Sequence, residues 1–225
     1  MKKLASILCV LCICFLSVMF VGCGEKAEPR NDYTAQTLYE DMCNAEYFKS
    51  ITATSITYKQ SNVETNMIVD ATTVYVKQTK TAENISEEIW LIDGVEYKAV
   101  TNLATKEVTY SKTNKTYLEK MAEFGSVQGF TVSRMQDVVK YYALKYTSVF
   151  TELATYANDI YTITQKAGET TEYKLSYSFK TGCFERYEHV SIAEDGTKTV
   201  QESIQVKYYK DGAHKYPKID IKNWT

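Results

Sequence analysis

Proline is nearly missing from this chain, with two in 225 residues and none between Pro29 and Pro217. Proline removes a backbone donor and is confined to the edges and bulges of sheets, so its absence leaves room for long paired strands. Histidine is as scarce, His189 and His214 alone. Neither lies in an HExxH pair or near a GxSxG elbow, so zinc-hydrolase and serine-hydrolase chemistry lack their usual parts. His214, close to Gly212, reads as a solvated loop residue, and His189 as facing a neighbour on its strand. Glu87 and Glu88 are adjacent acids, but adjacent strand residues point to opposite faces and cannot share a proton. No glycine loop cradles a phosphate, and nothing calls for a cofactor. A large excess of either charge is missing too: without Lys2 and Lys3, 26 basic residues become about 24 against 28 acidic ones. A net charge of about −4 with no basic block favours solubility and excludes a nucleic-acid footprint. These absences leave a non-enzymatic binding or interaction protein as the expectation.

One long apolar run is present, and it comes first. Met1-Lys2-Lys3 forms a positive start, Leu4 to Val21 an apolar core, and Phe20-Val21-Gly22-Cys23 resembles a bacterial lipobox. In that signal a small residue precedes a cysteine whose thiol receives a diacylglyceryl group, and cleavage makes the cysteine residue one. The resemblance implies a signal peptide over 1–22, palmitate-type acyl chains on Cys23, and a protein lipid-anchored on the extracytoplasmic face of a cell membrane. An uncleaved membrane-spanning anchor is the alternative, since the run is close to the length that spans. Residues 23–32 then make a lipidated cysteine and polar tether, reaching at most ~30 Å when extended. Residues 33–225 are long enough for one domain with its own core.

Of six cysteines, Cys9, Cys12 and Cys14 leave with the signal and Cys23 is acylated, so Cys43 and Cys183 remain. An exported pair is able to bridge if the backbones approach closely enough; two separate buried thiols are the other reading. Without CxxC spacing the pair is no zinc site, and no metal site is expected.

Taken in order, Thr34 can cap a helix running to about Lys49, with Leu38, Met42, Ala45 and Phe48 or Lys49 near one stripe. From Ser50 to Lys112 the period becomes two, with turn signals every eight to twelve residues or so, as in an antiparallel meander of about six strands. Val63, Thr65, Met67 and Val69 share a face; Val95, Tyr97, Ala99 and Thr101 share another; Asp93-Gly94 is a strong hairpin signal because a type I′ turn needs two positive φ angles. Tyr117, Met121 and Phe124 suggest a short helix, Gly125 and Gly129 flank a break, and Ser133 is placed to cap a longer helix. Its stripe of Met135, Val138, Val139, Tyr142, Tyr146, Val149, Phe150 and Leu153 keeps helical spacing. That stripe covers the core or, alternatively, lids a cavity.

Strands resume over about 160–165 and continue. Tyr173, Leu175, Tyr177 and Phe179 alternate with Glu172, Lys174, Ser176 and Ser178, one face apolar and the other wet. Turns at Thr181-Gly182, Asp195-Gly196 and Asp211-Gly212 separate the later strands, with Val200, Ile204, Val206 and Tyr208 sharing a face, before an extended 216–221 segment. All 19 tyrosines follow the anchor, which suits half-buried strands or an amphipathic cavity. The expected fold is α+β and mainly antiparallel: a strongly curved sheet or incomplete β-barrel of about 10–11 strands covered by helices.

This organisation resembles the LolA/LolB-like lipoprotein carriers and the LppX/LprG-like lipid-binding lipoproteins. The residues that carry it are the lipobox ending Gly22-Cys23, the single early helix, the meander containing Glu88-Ile89-Trp90-Leu91-Ile92-Asp93-Gly94-Val95-Glu96-Tyr97, the helical insertion and the second meander. The resemblance implies a half-barrel closed by helices around an apolar cavity that holds a lipid or other hydrophobic ligand. Met67, Val69, Tyr97, Tyr173, Leu175 and Tyr177 from the sheet, covered by Tyr142, Tyr146, Phe150 and Leu153, are the expected lining. The alternative is a cell-envelope sensing or protein-interaction module with a filled core. Cavity volume separates the two.

Overall fold

The computed structural model describes residues 28–124 and 131–224. The signal, Cys23 and the Gly125 and Gly129 break lie outside the described residues. Helices α1 (Ala35–Asn44) and α2 (Glu46–Lys49) precede six strands: β1 (Ala53–Gln60), β2 (Val63–Asp70), β3 (Val74–Lys80), β4 (Ile85–Ile92), β5 (Val95–Asn102) and β6 (Val108–Asn114). Helices α3 (Tyr117–Ala122) and α4 (Met135–Thr147) follow, then β7 (Thr155–Ala157), β8 (Ile160–Lys166), β9 (Thr171–Ser178), β10 (Phe184–Ile192) and β11 (Lys198–Tyr209). The eleven strands form one open antiparallel sheet in the order β6-β5-β4-β3-β2-β1-β11-β10-β9-β8-β7. Each run is a meander, and among the described residues the two join only where β1 pairs with β11, Ile56 opposite Val206.

Local chemistry accounts for the ends of the elements. The Thr34 hydroxyl accepts from the Thr37 N–H at 3.1 Å while the Thr37 hydroxyl accepts from the Thr34 N–H at 2.8 Å, a reciprocal cap on α1. The expected helix to Lys49 is broken by extended Ala45, ψ 128°, yet Leu38, Met42 and Phe48 all reach the core. At α4 the cap differs from expectation. Arg134 occupies the N-cap, and the Asp137 carboxylate reaches back to the N–H groups of Ser133 and Arg134 at 3.3 and 3.0 Å. The helix also stops at Thr147, short of the expected stripe's end. The Val149 and Phe150 N–H groups turn back to Tyr146 and Thr147, and the Ala154 N–H pairs with the Tyr33 carbonyl. Two further departures are β7, absent from the sequence reading, and residues 216–221, which form no strand.

One sheet face, called inner here, presents Ile56, Met67, Val69, Val74, Leu91, Ile163, Leu175 and Ile204, which share a single core with Met42 of α1 and Val138, Val139 and Ala143 of α4. The outer face carries a separate small core, Tyr75, Trp90, Ala99 and Trp224, with Tyr97, Tyr216 and Ile219 against it. In the β4–β5 turn, Asp93 and Gly94 have φ of 51° and 76°, as a type I′ hairpin requires. A Cβ on Gly94 would meet nothing within 4 Å, so Gly94→Ala is strained by its positive φ alone. The expected cost is about 1 kcal/mol, read as a lower urea midpoint at unchanged m-value.

Candidate functional site

The residues expected to line a cavity do not form one set. Val69, Leu175 and Tyr177 have no exposed surface, and Met67 and Tyr146 only 3 and 4%. A side chain with no accessible surface touches no void able to hold a water, so the inner face is packed at these positions. Tyr146 stacks on Tyr187 of β10 with ring centroids 3.7 Å apart, and Phe150 meets the same ring edge-on at 6.4 Å. Tyr142, against Tyr141, and Tyr173, stacked on His189, are half-buried at the margin of this core.

Two residues separate from the set. Tyr97 pairs with Trp90 on the outer face and packs on Trp224, because the β4–β5 register puts it opposite to Met67 and Val69. Leu153 lies beyond the end of α4 and is 53% exposed. The bridge considered for Cys43 and Cys183 is not formed; both are free thiols, and burial pushes Cys183 up to about 11.

One polar cluster that reaches the inner core is centred on Glu202. The Tyr146 and Tyr58 hydroxyls donate to Glu202 at 2.7 and 3.2 Å. Burial, and then the Glu202 carboxylate, raise both phenols above their ordinary range. They act as neutral donors that hold a carboxylate, not as bases. The Tyr177 hydroxyl is buried beside the Thr147 hydroxyl, which donates to the Ala143 carbonyl at 2.8 Å and keeps its lone pairs toward the tyrosine. Glu87 and Glu88 point to opposite faces as expected, paired with Lys98 at 3.4 Å and Lys77 at 2.6 Å.

A groove lies on the outer face of the second meander. It encloses about 770 Å³ and is floored by Lys174 and Ser176 of β9, Arg186 and Glu188 of β10 and Gln205 of β11. A second depression of about 460 Å³ shares Arg186, Glu188 and Gln205 and continues across Thr57 and Lys59 of β1. The alternation of β9 exposes these side chains, since Leu175 and Tyr177 face inward. Arg186 and Glu188, i and i+2 on one face, pair at 2.6 Å. Charged and amide groups in a row across four strands offer donors and acceptors to a polar segment. Of the four positions expected to be wet on β9, Lys174 and Ser176 line the groove, whereas Glu172 and Ser178 are buried; the alignment with β10 and β11 was not visible in sequence.

A different cleft, about 460 Å³, is apolar: Ile51, Ala71, Tyr117 and Met135 line it near the start of α4. Close by in sequence, Asp70 ends β2 and holds the later chain. Its carboxylate accepts from the Thr72 and Thr73 N–H groups at 2.7 Å each and lies 3.2 Å from His214 Nε2. His214 is therefore not the solvated residue expected: its side chain is 12% exposed, between Tyr209 and Tyr216. Among the described residues no group of three or more His, Cys, Asp or Glu is placed to hold a metal ion.

No family model matches this chain, and no curated protein matches it. Among the described residues no helix is long and apolar enough to cross a membrane.

Burial raises the Asp70 carboxyl, but the N–H donors of Thr72 and Thr73, with Tyr216 and His214, outweigh it and hold the group below its ordinary range. A depressed folded-state pKa adds stability above the unfolded value and loses it as pH falls through the folded one. Denaturation of the parent and of Asp70→Asn between neutral pH and about pH 2 should show this directly. The variant is expected to be less stable at neutral pH, with the gap closing below the ordinary carboxylate range; a gap constant with pH refutes the assignment.

Proposed function

We propose that this chain is a lipid-anchored, extracytoplasmic, non-enzymatic interaction module of the cell envelope. In this reading Cys23 carries the acyl chains, and helices cover the inner face of a LolA/LolB-like (LppX/LprG-like) incomplete barrel. The polar outer groove engages a segment of an envelope partner. The open eleven-stranded order, with α3 and α4 inserted between β6 and β7, supports the resemblance. The observation that carries the choice between partner and ligand is the packing of Val69, Leu175 and Tyr177, which have no exposed surface where a hydrophobic cavity was expected. A filled interior leaves the outside for recognition.

A photo-crosslinking amino acid at Ser176 or Gln205, in the groove, should give a discrete adduct in intact cells, weakened by Arg186→Ala. The same group at Val149, exposed elsewhere, serves as control. Equal, diffuse labelling from all three positions sinks the groove as the contact surface.

A second reading, capture of a lipid or other hydrophobic ligand, has one observation in its favour: the apolar cleft at Ile51, Ala71, Tyr117 and Met135. Its volume of about 460 Å³ falls within the range of small-molecule sites. Native purification followed by organic extraction and mass spectrometry tests it. A stoichiometric lipid lost in a folded Met135→Asp variant would make this the function, and an empty parent protein would remove it.

A further inference from the structure

The two edges of the open sheet are unequal. The β7 edge offers three residues, whereas β6 offers seven, every one of them exposed. Long unpaired edges template further pairing, and proteins usually shorten, cover or charge them. The only charge on β6 is Lys112, and Val108 and Tyr110 add exposed apolar surface.

Which backbone groups of β6 have no partner among the described residues follows from its bonds to β5. The Asn102 N–H donates to the Glu107 carbonyl at 2.9 Å and the Lys115 N–H to the Gly94 carbonyl at 3.0 Å. Bonding residues alternate in an antiparallel ladder, so between these limits the odd-numbered residues serve β5. Val108, Tyr110, Lys112 and Asn114 turn their N–H and C=O groups outward.

We propose that β6 pairs antiparallel with β6 of a second copy of this chain, about a two-fold axis at Ser111. That register sets Val108 opposite Asn114 and Tyr110 opposite Lys112, each pair occurring twice. All four outward residues are used, giving about eight hydrogen bonds at two per pair. Registers centred on Tyr110 or Lys112 keep about six, and the second sets Lys112 against its own copy, a like-charge pair. In the chosen register each Lys112 lies beside the other copy's Tyr110, whose ring already packs on Trp224 at 4.9 Å, an aromatic surface suited to a cation. On the opposite face Thr109 meets Thr113 and Ser111 meets itself, all hydroxyls. The contact is isologous and closes at two copies, and the three-residue β7 edges left at either end give little purchase for a filament. It occupies an edge and leaves the outer groove open, so it does not rest on the partner reading.

Disulfide scanning of the full chain in detergent tests the register. Ser111→Cys lies at a close, non-hydrogen-bonded pair on the axis and should oxidise to a covalent dimer, about tenfold faster than Thr109→Cys or Thr113→Cys alone. A mixture of the last two should crosslink at the Ser111→Cys rate. Of the backbone groups Lys112→Pro removes only an outward N–H, along with the Lys112 Nζ contact to the Trp224 carbonyl at 3.5 Å, and should abolish the dimer in sedimentation velocity with the circular dichroism spectrum unchanged. A parent chain that sediments as a monomer, or equal crosslinking at all three positions, overturns the proposal.

Discussion

Everything in this fold depends on the pairing of β1 with β11. The two strands lie far apart in sequence, and their register, from Ala53 with Tyr209 to Gln60 with Glu202, is among the described residues the only ladder that joins the two meanders. All other neighbours in the sheet are neighbours in sequence, whose closure costs little entropy. The β1–β11 ladder instead closes a loop that contains the whole helical insertion. It sets Ile56 beside Val206 and Ile204 beside Tyr58, making one continuous inner face whose apolar side chains share a core with residues of α1 and α4. Without it there would be two half-sheets, each with an apolar face too wide for one helix.

The local parts of this structure were readable and the non-local parts were not. Asp93-Gly94 announces its hairpin because the turn's φ angles select the residues, and Thr34 announces its helix because a hydroxyl there meets a free N–H. Strand alternation sorted Met67 from Asn66 and Leu175 from Lys174 correctly. Period two says which residues of one strand share a face, but only the register between strands says which face that is. Tyr97 shows the gap: it alternates as expected, yet its pairing with Trp90 places it on the side opposite Met67. Likewise the spacing of Phe150 and Leu153 continues a helical stripe that the backbone leaves after Thr147. Phe150 still reaches Tyr187 from a turn, whereas Leu153 does not reach the core. His214 is tied to Asp70, far earlier in the chain, by a contact that no local pattern encodes.

An open sheet of this width has two faces to satisfy, and the chain treats the halves of the outer face differently. After β11 the chain runs back across the first meander. His214 meets Asp70, the Tyr216 hydroxyl donates to the Thr73 carbonyl at 3.2 Å, and Trp224 packs on Trp90, Tyr97 and Tyr110. The aromatic residues of β3, β4 and β5 are on the outer face because this segment covers them. Among the described residues no equivalent segment follows for β8 to β11, and their outward positions include Thr162, Lys174, Ser176, Arg186, Glu188 and Gln205. A surface that stays in water must be polar, and one strand's polar row becomes a groove only when its neighbours supply rows in register. The position of the groove is thus set by where the C-terminal segment does not run, and its chemistry by the alternation that also fills the inner core.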